Sequence, residues 1–210
     1  MKRSASRIAG IGLVFVATLV GAQSPSRVWN FDGMPAGAPG QEFVAGPGDW
    51  KVQFNPAASS KPNVLAQLAK NDRPVFNVLL VGDTSYGDLD LSVRLYAVAG
   101  EIDQGGGLVW RARDAQNYYI ARYNPLEDNF RVYKVVDGRR TQLQSADVPR
   151  SGGWRTLRVT MRGDAIECYL DGKKFLQATD STFTRPGKIG VWTKADAQTL
   201  FDDLAVSNLK

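Results

Sequence analysis

The chain has 210 residues, with 26 Lys and Arg against 21 Asp and Glu, a single cysteine and no histidine. Without histidine there can be no Ser-His-Asp or Cys-His nucleophile pair and no imidazole-bound metal, which leaves hard cations on oxygen ligands and acid–base work by carboxylates, lysine or tyrosine. The lone Cys168 excludes an intramolecular disulfide, and of the formal net charge of +5 three units lie in Lys2, Arg3 and Arg7, so that the +2 of residues 23–210, with both signs interspersed, gives no argument for nucleic acid.

At the N-terminus, Lys2, Arg3 and Arg7 flank or precede an apolar run over residues 8–20, and Val20-Gly21-Ala22 supplies small residues. This is the pattern of a signal peptide, residues 1–22, cleaved after Ala22. The run is shorter than the about 20 apolar residues a bilayer span needs, so no stable membrane insertion is expected after cleavage. The mature chain, residues 23–210, is expected to be one domain, periplasmic or secreted. Cleavage removes three positive charges and brings it close to neutral.

The mature chain shows no helical periodicity of useful length. Short apolar runs alternate with turn residues throughout, beginning with 28–31, 50–54, 64–68 and 75–81. Residues 89–98 alternate most cleanly, with Leu89, Leu91, Val93, Leu95 and Ala97 on one side. Three consecutive strands follow at 108–112, 118–123 and 130–136. Asp137-Gly138 and Asp171-Gly172 are tight hairpin signals, and Gly163-Asp164 turns the chain between 154–162 and 165–170. Runs at 174–178, 188–193 and 199–206 complete about twelve strands, the pattern of an all-β, two-sheet antiparallel jelly-roll sandwich. Cys168 alternates with Ile166 and Leu170 and is expected to be a buried, inert thiol.

The three-strand block carries the functional signal. With turns centred on Ala115 and on Leu126-Glu127, register arithmetic puts Trp110, Tyr118, Ile120, Arg122, Arg131 and Tyr133 on one face. Val109, Ala121, Phe130 and Val132 fall on the other, with Arg111, Tyr119, Tyr123 and Lys134. Arg122 and Arg131 then lie directly opposite each other. Like charges so placed destabilise a sheet unless water or an anionic or polar ligand separates them, so their face is expected to meet solvent or ligand. Trp110, Tyr118, Arg122, Arg131 and Tyr133 form the candidate saccharide platform, because aromatic faces stack on pyranose C–H groups while guanidinium and phenol groups satisfy hydroxyls. If the faces are reversed, Arg111, Tyr119, Tyr123 and Lys134 take that role. Trp192, in a late loop that could rim the groove, reads more simply as core.

The stretches GGGLVWRARDAQNYYIARYN, VYKVVDGRR, GGWRTLRVTMRGDAIECYLDGKK and GKIGVWTKADAQTLFDDLAV, in that order, resemble the concanavalin A-like jelly-roll domains of secreted bacterial proteins. The closer similarity is to the 3-keto-disaccharide hydrolase and family-16 glycoside-hydrolase-like domains, and Phe31-Asp32-Gly33 loosely matches an N-terminal element of the former. The resemblance implies a jelly roll associated with saccharides. It does not imply catalysis. Family-16 glucanases carry a Glu-x-Asp-x-(x)-Glu strand, and here Glu101-Ile102-Asp103 gives the first half while the second Glu is missing.

The leading expectation is an exported carbohydrate-binding domain whose partner is a saccharide or glycoside. One alternative is a glycoside or 3-keto-glycoside hydrolase or lyase using carboxylates of the groove, with Glu101, Asp103, Glu127 and Asp128 as candidates. Another is an envelope structural or protein-interaction module. Asp32, in the first strand, and Asp202 with Asp203, in the last, are candidate ligands for a structural Ca²⁺.

Overall fold

A computed structural model describes residues 27–209; the expected signal peptide lies outside the described residues. Fifteen strands follow in order: β1 (Arg27–Trp29), β2 (Phe43–Ala45), β3 (Trp50–Phe54), β4 (Asn63–Gln67), β5 (Phe76–Val81), β6 (Leu89–Ala99), β7 (Gly106–Asp114) and β8 (Asn117–Asn124), then β9 (Asn129–Val136), β10 (Arg139–Asp147), β11 (Arg155–Arg162), β12 (Ala165–Leu170), β13 (Lys173–Thr179), β14 (Lys188–Lys194) and β15 (Gln198–Asn208). They form two antiparallel sheets. The first runs β13-β12-β11-β6-β15-β4-β3, with β1 added on β15, and the second runs β10-β9-β8-β7-β14-β5-β2.

The first sheet follows its sequence pattern closely. Leu89, Leu91, Val93 and Leu95 of β6 point into the sandwich beside Leu157, Val159 and Met161 of β11. Asp90, Ser92, Arg94 and Tyr96 take the outer face, as period-two alternation requires. The Asp137-Gly138 and Asp171-Gly172 hairpins are two-residue turns with positive φ at both positions (49° and 74°, 48° and 80°), the geometry of a type I′ turn.

The second sheet is buried on both faces at its centre. Its inner face, with Leu108, Trp110, Tyr119, Ala121, Tyr123, Phe130 and Val132, meets the first sheet. Its outer face holds a separate apolar cluster of Val78, Leu80, Val109, Ala112, Tyr118, Ile120, Tyr133, Val135 and Trp192. The β8–β9 register is the expected one, with Ile120 opposite Tyr133 and Arg122 opposite Arg131. Strand β7, however, is shifted by one residue from the expectation. Trp110 pairs with Tyr119 and Leu108 with Ala121, so Trp110 belongs to the inner core, where its indole Nε1 donates to Met161 Sδ, and Val109 takes the outer face. The cause is a bulge between Trp110 and Asp114, where Arg111 adopts a positive φ of 47°.

Cys168 lies in the inner core with no exposed surface, and burial pushes its thiol well above the usual range. Thiol reagents are therefore expected to label it only as the protein unfolds. Labelling in native buffer as fast as in denaturant would place it elsewhere.

Tyr119 is tied to the far end of the inner face, because its hydroxyl donates to Asp180 Oδ1 at 2.7 Å while Lys134 Nζ donates to Oδ2 at 2.7 Å. Partial burial raises the Asp180 pKa, but these hydrogen bonds outweigh it and hold the carboxyl at about 2, against 3.8 normally. A depressed carboxylate pKa contributes stability that is complete above the unfolded value and is lost as pH falls through the folded one. Asp180→Asn is thus expected to lower stability at neutral pH and to weaken its pH dependence between those two values. Parallel acid-denaturation profiles of variant and parent would contradict this.

Candidate functional site

The site forms where the β8–β9 hairpin meets the loop before β7. Asn124 Oδ1 accepts the backbone N–H groups of Leu126 and Glu127 at 2.9 and 3.0 Å, an Asx-type turn. Asn129 Nδ2 donates to the Glu127 carbonyl at 3.0 Å and to Glu127 Oε2 at 3.1 Å. The turn therefore folds the Glu127 carboxylate back over the outer face. There Oε2 accepts from Arg122 Nη2 at 2.8 Å and from Arg131 Nη1 at 3.3 Å. The anion that the facing arginine pair demands is supplied by the chain itself. Burial raises the Glu127 pKa, yet the hydrogen bonds from Arg122 and Asn129 and the charges of Arg122 and Arg131 prevail and set it at about 2.

Asp103 closes the other side of Arg122. The Asp196 carboxylate accepts the backbone N–H groups of Glu101, Ile102 and Asp103 at 2.8, 3.1 and 3.0 Å and so fixes the loop. Asp103 Oδ1 then accepts from Asn124 Nδ2 at 2.9 Å and lies 3.7 Å from Arg122 Nη1, while Lys194 Nζ stands 3.3 Å from Oδ2. Asp103 and Arg122 are each 1% exposed. Burial pushes the Asp103 carboxyl above its usual range against the pull of Arg122 and Lys194.

Beside this ionic group lies an aromatic one. Trp192 Nε1 donates to the Tyr118 hydroxyl at 3.0 Å, and Phe76 packs on Trp192 with ring centroids 5.4 Å apart. The register places Gly107 between Arg122 and Trp192. A Cβ there would come within 2.0 Å of the Ala121 carbonyl oxygen, so no side chain is tolerated between the ionic and aromatic groups. Arg140 lies over the aromatic group, with Cζ 4.4 Å from the Tyr133 ring centroid, 5.4 Å from Phe76 and 5.8 Å from Trp192.

Of the expected platform, Tyr118, Arg122, Arg131 and Tyr133 share the outer face and Trp110 does not. Tyr118 and Tyr133 are themselves buried under neighbouring side chains. Asp103 and Glu127 are brought together around Arg122, but Glu101 is an exposed loop residue, and Asp128 faces away to accept Arg150 N at 2.7 Å. Trp192 is buried as expected, though in the outer cluster rather than the inner core. The fallback residues do not form a second platform. Tyr119 and Tyr123 belong to the inner core, and Arg111 is spent on Gly87 O, Phe183 O and Asp88.

Asp32, Asp202 and Asp203 are not gathered into a metal site. The Asp202 carboxylate is taken up by Ser60 N and Oγ at 2.7 and 2.8 Å, and Asp32 Oδ1 accepts Asn63 N at 3.0 Å. Among the described residues no three carboxylates or thiols are placed to hold a metal ion.

Sequence reasoning missed Arg140, although it was within reach, because a two-residue turn at Asp137-Gly138 pairs it with Val135, which shares the outer face with Tyr133. Lys194 belongs to the stretch 192–196 expected as a loop at the groove rim; it does reach the site, but Trp192–Lys194 lie in strand β14 and not in a loop.

These sheets and their order define an antiparallel jelly-roll sandwich, the fold that the sequence resemblance implied. No family model matches the chain. Its structure is similar to a carbohydrate binding module, CBM66 from Bacillus subtilis, with a TM-score of 0.68 and 19% identity, covering 83% of this chain and 100% of that one. It is also similar to the Crh5 transglycosylase, with a TM-score of 0.60 and 12% identity over 90% of this chain and 87% of that one. In sequence it is 27% identical over 146 residues to an extracellular exo-alpha-L-arabinofuranosidase of Streptomyces chartreusis. That match takes in 67% of this chain but only 16% of the arabinofuranosidase.

Proposed function

We propose that the protein binds saccharide through the outer face of the second sheet. The observation that carries this reading is the meeting, on one face, of an aromatic group and a cluster of charged donors and acceptors. A pyranose needs an apolar surface for its C–H face, which the partly exposed Phe76 at the edge of the buried aromatic group offers, and charge-assisted partners for its hydroxyls. Arg131, Glu127 and Arg140 are the partly exposed members of the cluster, and they are the groups an incoming sugar meets first. The likeness to a carbohydrate binding module supports the same reading.

Binding is favoured over hydrolysis because both carboxylates are committed. Glu127 is held ionised between two arginines, and Asp103 is sealed among Arg122, Lys194 and Asn124. Glu127 therefore holds no proton to give at neutral pH, and Asp103, 1% exposed, lies out of a bound glycoside's reach. A glycan array probed with the purified protein, followed by incubation of the hits, tests this. At least one glycan is expected to bind and to be recovered intact. Turnover would favour the hydrolase, and a blank array would point to an envelope protein-interaction module.

We also propose export to the periplasm or beyond, on the strength of the basic, apolar and small-residue order of residues 1–22. Intact mass of the exported protein is expected to begin at Gln23, and a retained leader would refute it.

A further inference from the structure

We propose that the saccharide taken by this face carries a carboxylate, a uronic-acid unit, which docks beside Tyr133 where Arg140 meets the ionic cluster. The inference rests on the saccharide reading above and narrows it to a charge class. Its basis is a count of charges and of hydrogen-bond donors. Four cations, Arg122, Arg131, Arg140 and Lys194, gather around two carboxylates. Each carboxylate is already shared, Glu127 between Arg122 and Arg131, and Asp103 between Arg122 and Lys194.

Arg140 is left over. It makes no ion pair among the described residues, and its Nη1 is buried without a hydrogen-bond acceptor. Arg122, beneath it, has Nε and Nη1 in the same condition. Both guanidiniums approach one ring, since Arg140 Cζ is 4.4 Å from the Tyr133 centroid and Arg122 Cζ is 6.0 Å, with Arg122 Nη2 3.5 Å from the Tyr133 hydroxyl.

A buried donor without an acceptor costs free energy, and a buried cation without a counter-charge costs more. Ring contacts offset part of that for Arg140 but satisfy none of its N–H groups in plane. Partial burial pulls the Arg140 pKa down and the neighbouring Arg122 charge adds to that pull, more than Tyr133 and the already shared Asp103 and Glu127 offset. A neutral hydroxyl would accept one hydrogen bond and leave the excess charge in place. A carboxylate accepts from a guanidinium through two parallel bonds and neutralises it. The face is therefore better matched to a uronate than to the corresponding neutral sugar.

The test titrates the purified protein with a panel of galacturonate, glucuronate and mannuronate oligosaccharides. Each is paired with the same glycan after its carboxylates have been reduced to alcohols. At least one uronate is expected to bind about tenfold or more tighter than its reduced partner, as a charge-assisted hydrogen bond implies, with the advantage shrinking as salt is raised. Arg140→Gln is expected to erase that advantage, so that a uronate and its reduced partner bind with the same affinity. Reduced glycans that bind as tightly as their uronates would overturn the carboxylate inference and leave the saccharide reading standing. A panel in which neither form binds would overturn the carboxylate inference, while the glycan array decides the saccharide reading. The paired comparison on the parent protein decides the matter even if Arg140→Gln does not fold.

Discussion

Phe130→Ala is expected to destabilise the domain by about 3–5 kcal/mol, as truncating a buried aromatic does. Phe130 has no exposed surface and faces the first sheet, where Phe175 of β13 meets it edge-on at 6.4 Å between centroids. The strands around it are hydrogen-bonded into two sheets and cannot collapse into the space, so the cavity term adds to the lost transfer energy. In a domain of this size each kcal/mol moves the melting temperature by about 2–4 °C, so a drop on the order of 10 °C should be seen by calorimetry. A drop of a degree or two would mean that Phe130 does not face the core. Saccharide binding, on the opposite side of the sheet, should survive wherever the variant remains folded.

Arg122→Met should cost about as much for a different reason. Breaking a buried ion pair from one side typically costs about 3–5 kcal/mol, because the partner is left charged and uncompensated. Methionine keeps most of the apolar stem, which separates charge loss from packing loss. After the change Asp103 keeps Lys194 and Asn124, and Glu127 keeps Arg131 and Asn129. Asp103, already pushed up by burial, loses one of the charges that holds its pKa down and can escape the penalty by taking up a proton. The variant should therefore recover ground on the parent as pH falls through the Asp103 titration. Adding Asp103→Asn should restore part of the loss at neutral pH. Losses that are equal at every pH and simply additive in the double variant would show that the pair is not coupled.

How legible these features were in the sequence differed from strand to strand for physical reasons. The β8–β9 register was readable because Asn124 and Asn129 bracket a symmetric turn, so Arg122, Arg131, Ile120 and Tyr133 fell where the structure has them. The β7 register was not. Leu108, Val109 and Trp110 are all apolar and both faces of that strand are buried, so a slip of one residue leaves the hydrophobic pattern unchanged. The bulge at Arg111 that causes the slip leaves no mark in composition, since arginine has no preference for positive φ. Strand β2 was hidden for another reason. Phe43–Ala45 is three residues in a Gly- and Pro-rich stretch, recruited to the sheet edge by pairing with β5.

The facing arginines were the most informative residues, and the inference from them was half complete. Their repulsion does require an anion, and Glu127, four residues before Arg131, provides it. What the sequence did not convey is that the arginines and carboxylates so gathered leave one cation, Arg140, over. That depends on strand β10, the loop around residue 103 and the end of strand β14 converging on one place, which only the tertiary structure sets.

The central claim, that saccharide binds on the outer face of the second sheet, is tested most directly by comparing two arginines. Arg131 is partly exposed on that face, with a side chain 32% accessible. Arg158 lies on the outer face of the first sheet, 43% accessible and over Tyr169 at 4.9 Å, a similar arginine–tyrosine pair on the other side of the molecule. Titration of a glycan that the parent binds should show Arg131→Ala weakened by about tenfold, the effect of losing a charged hydrogen-bond donor, and Arg158→Ala unchanged. An unaltered Arg131→Ala alongside a weakened Arg158→Ala would move the site to the first sheet and contradict the account.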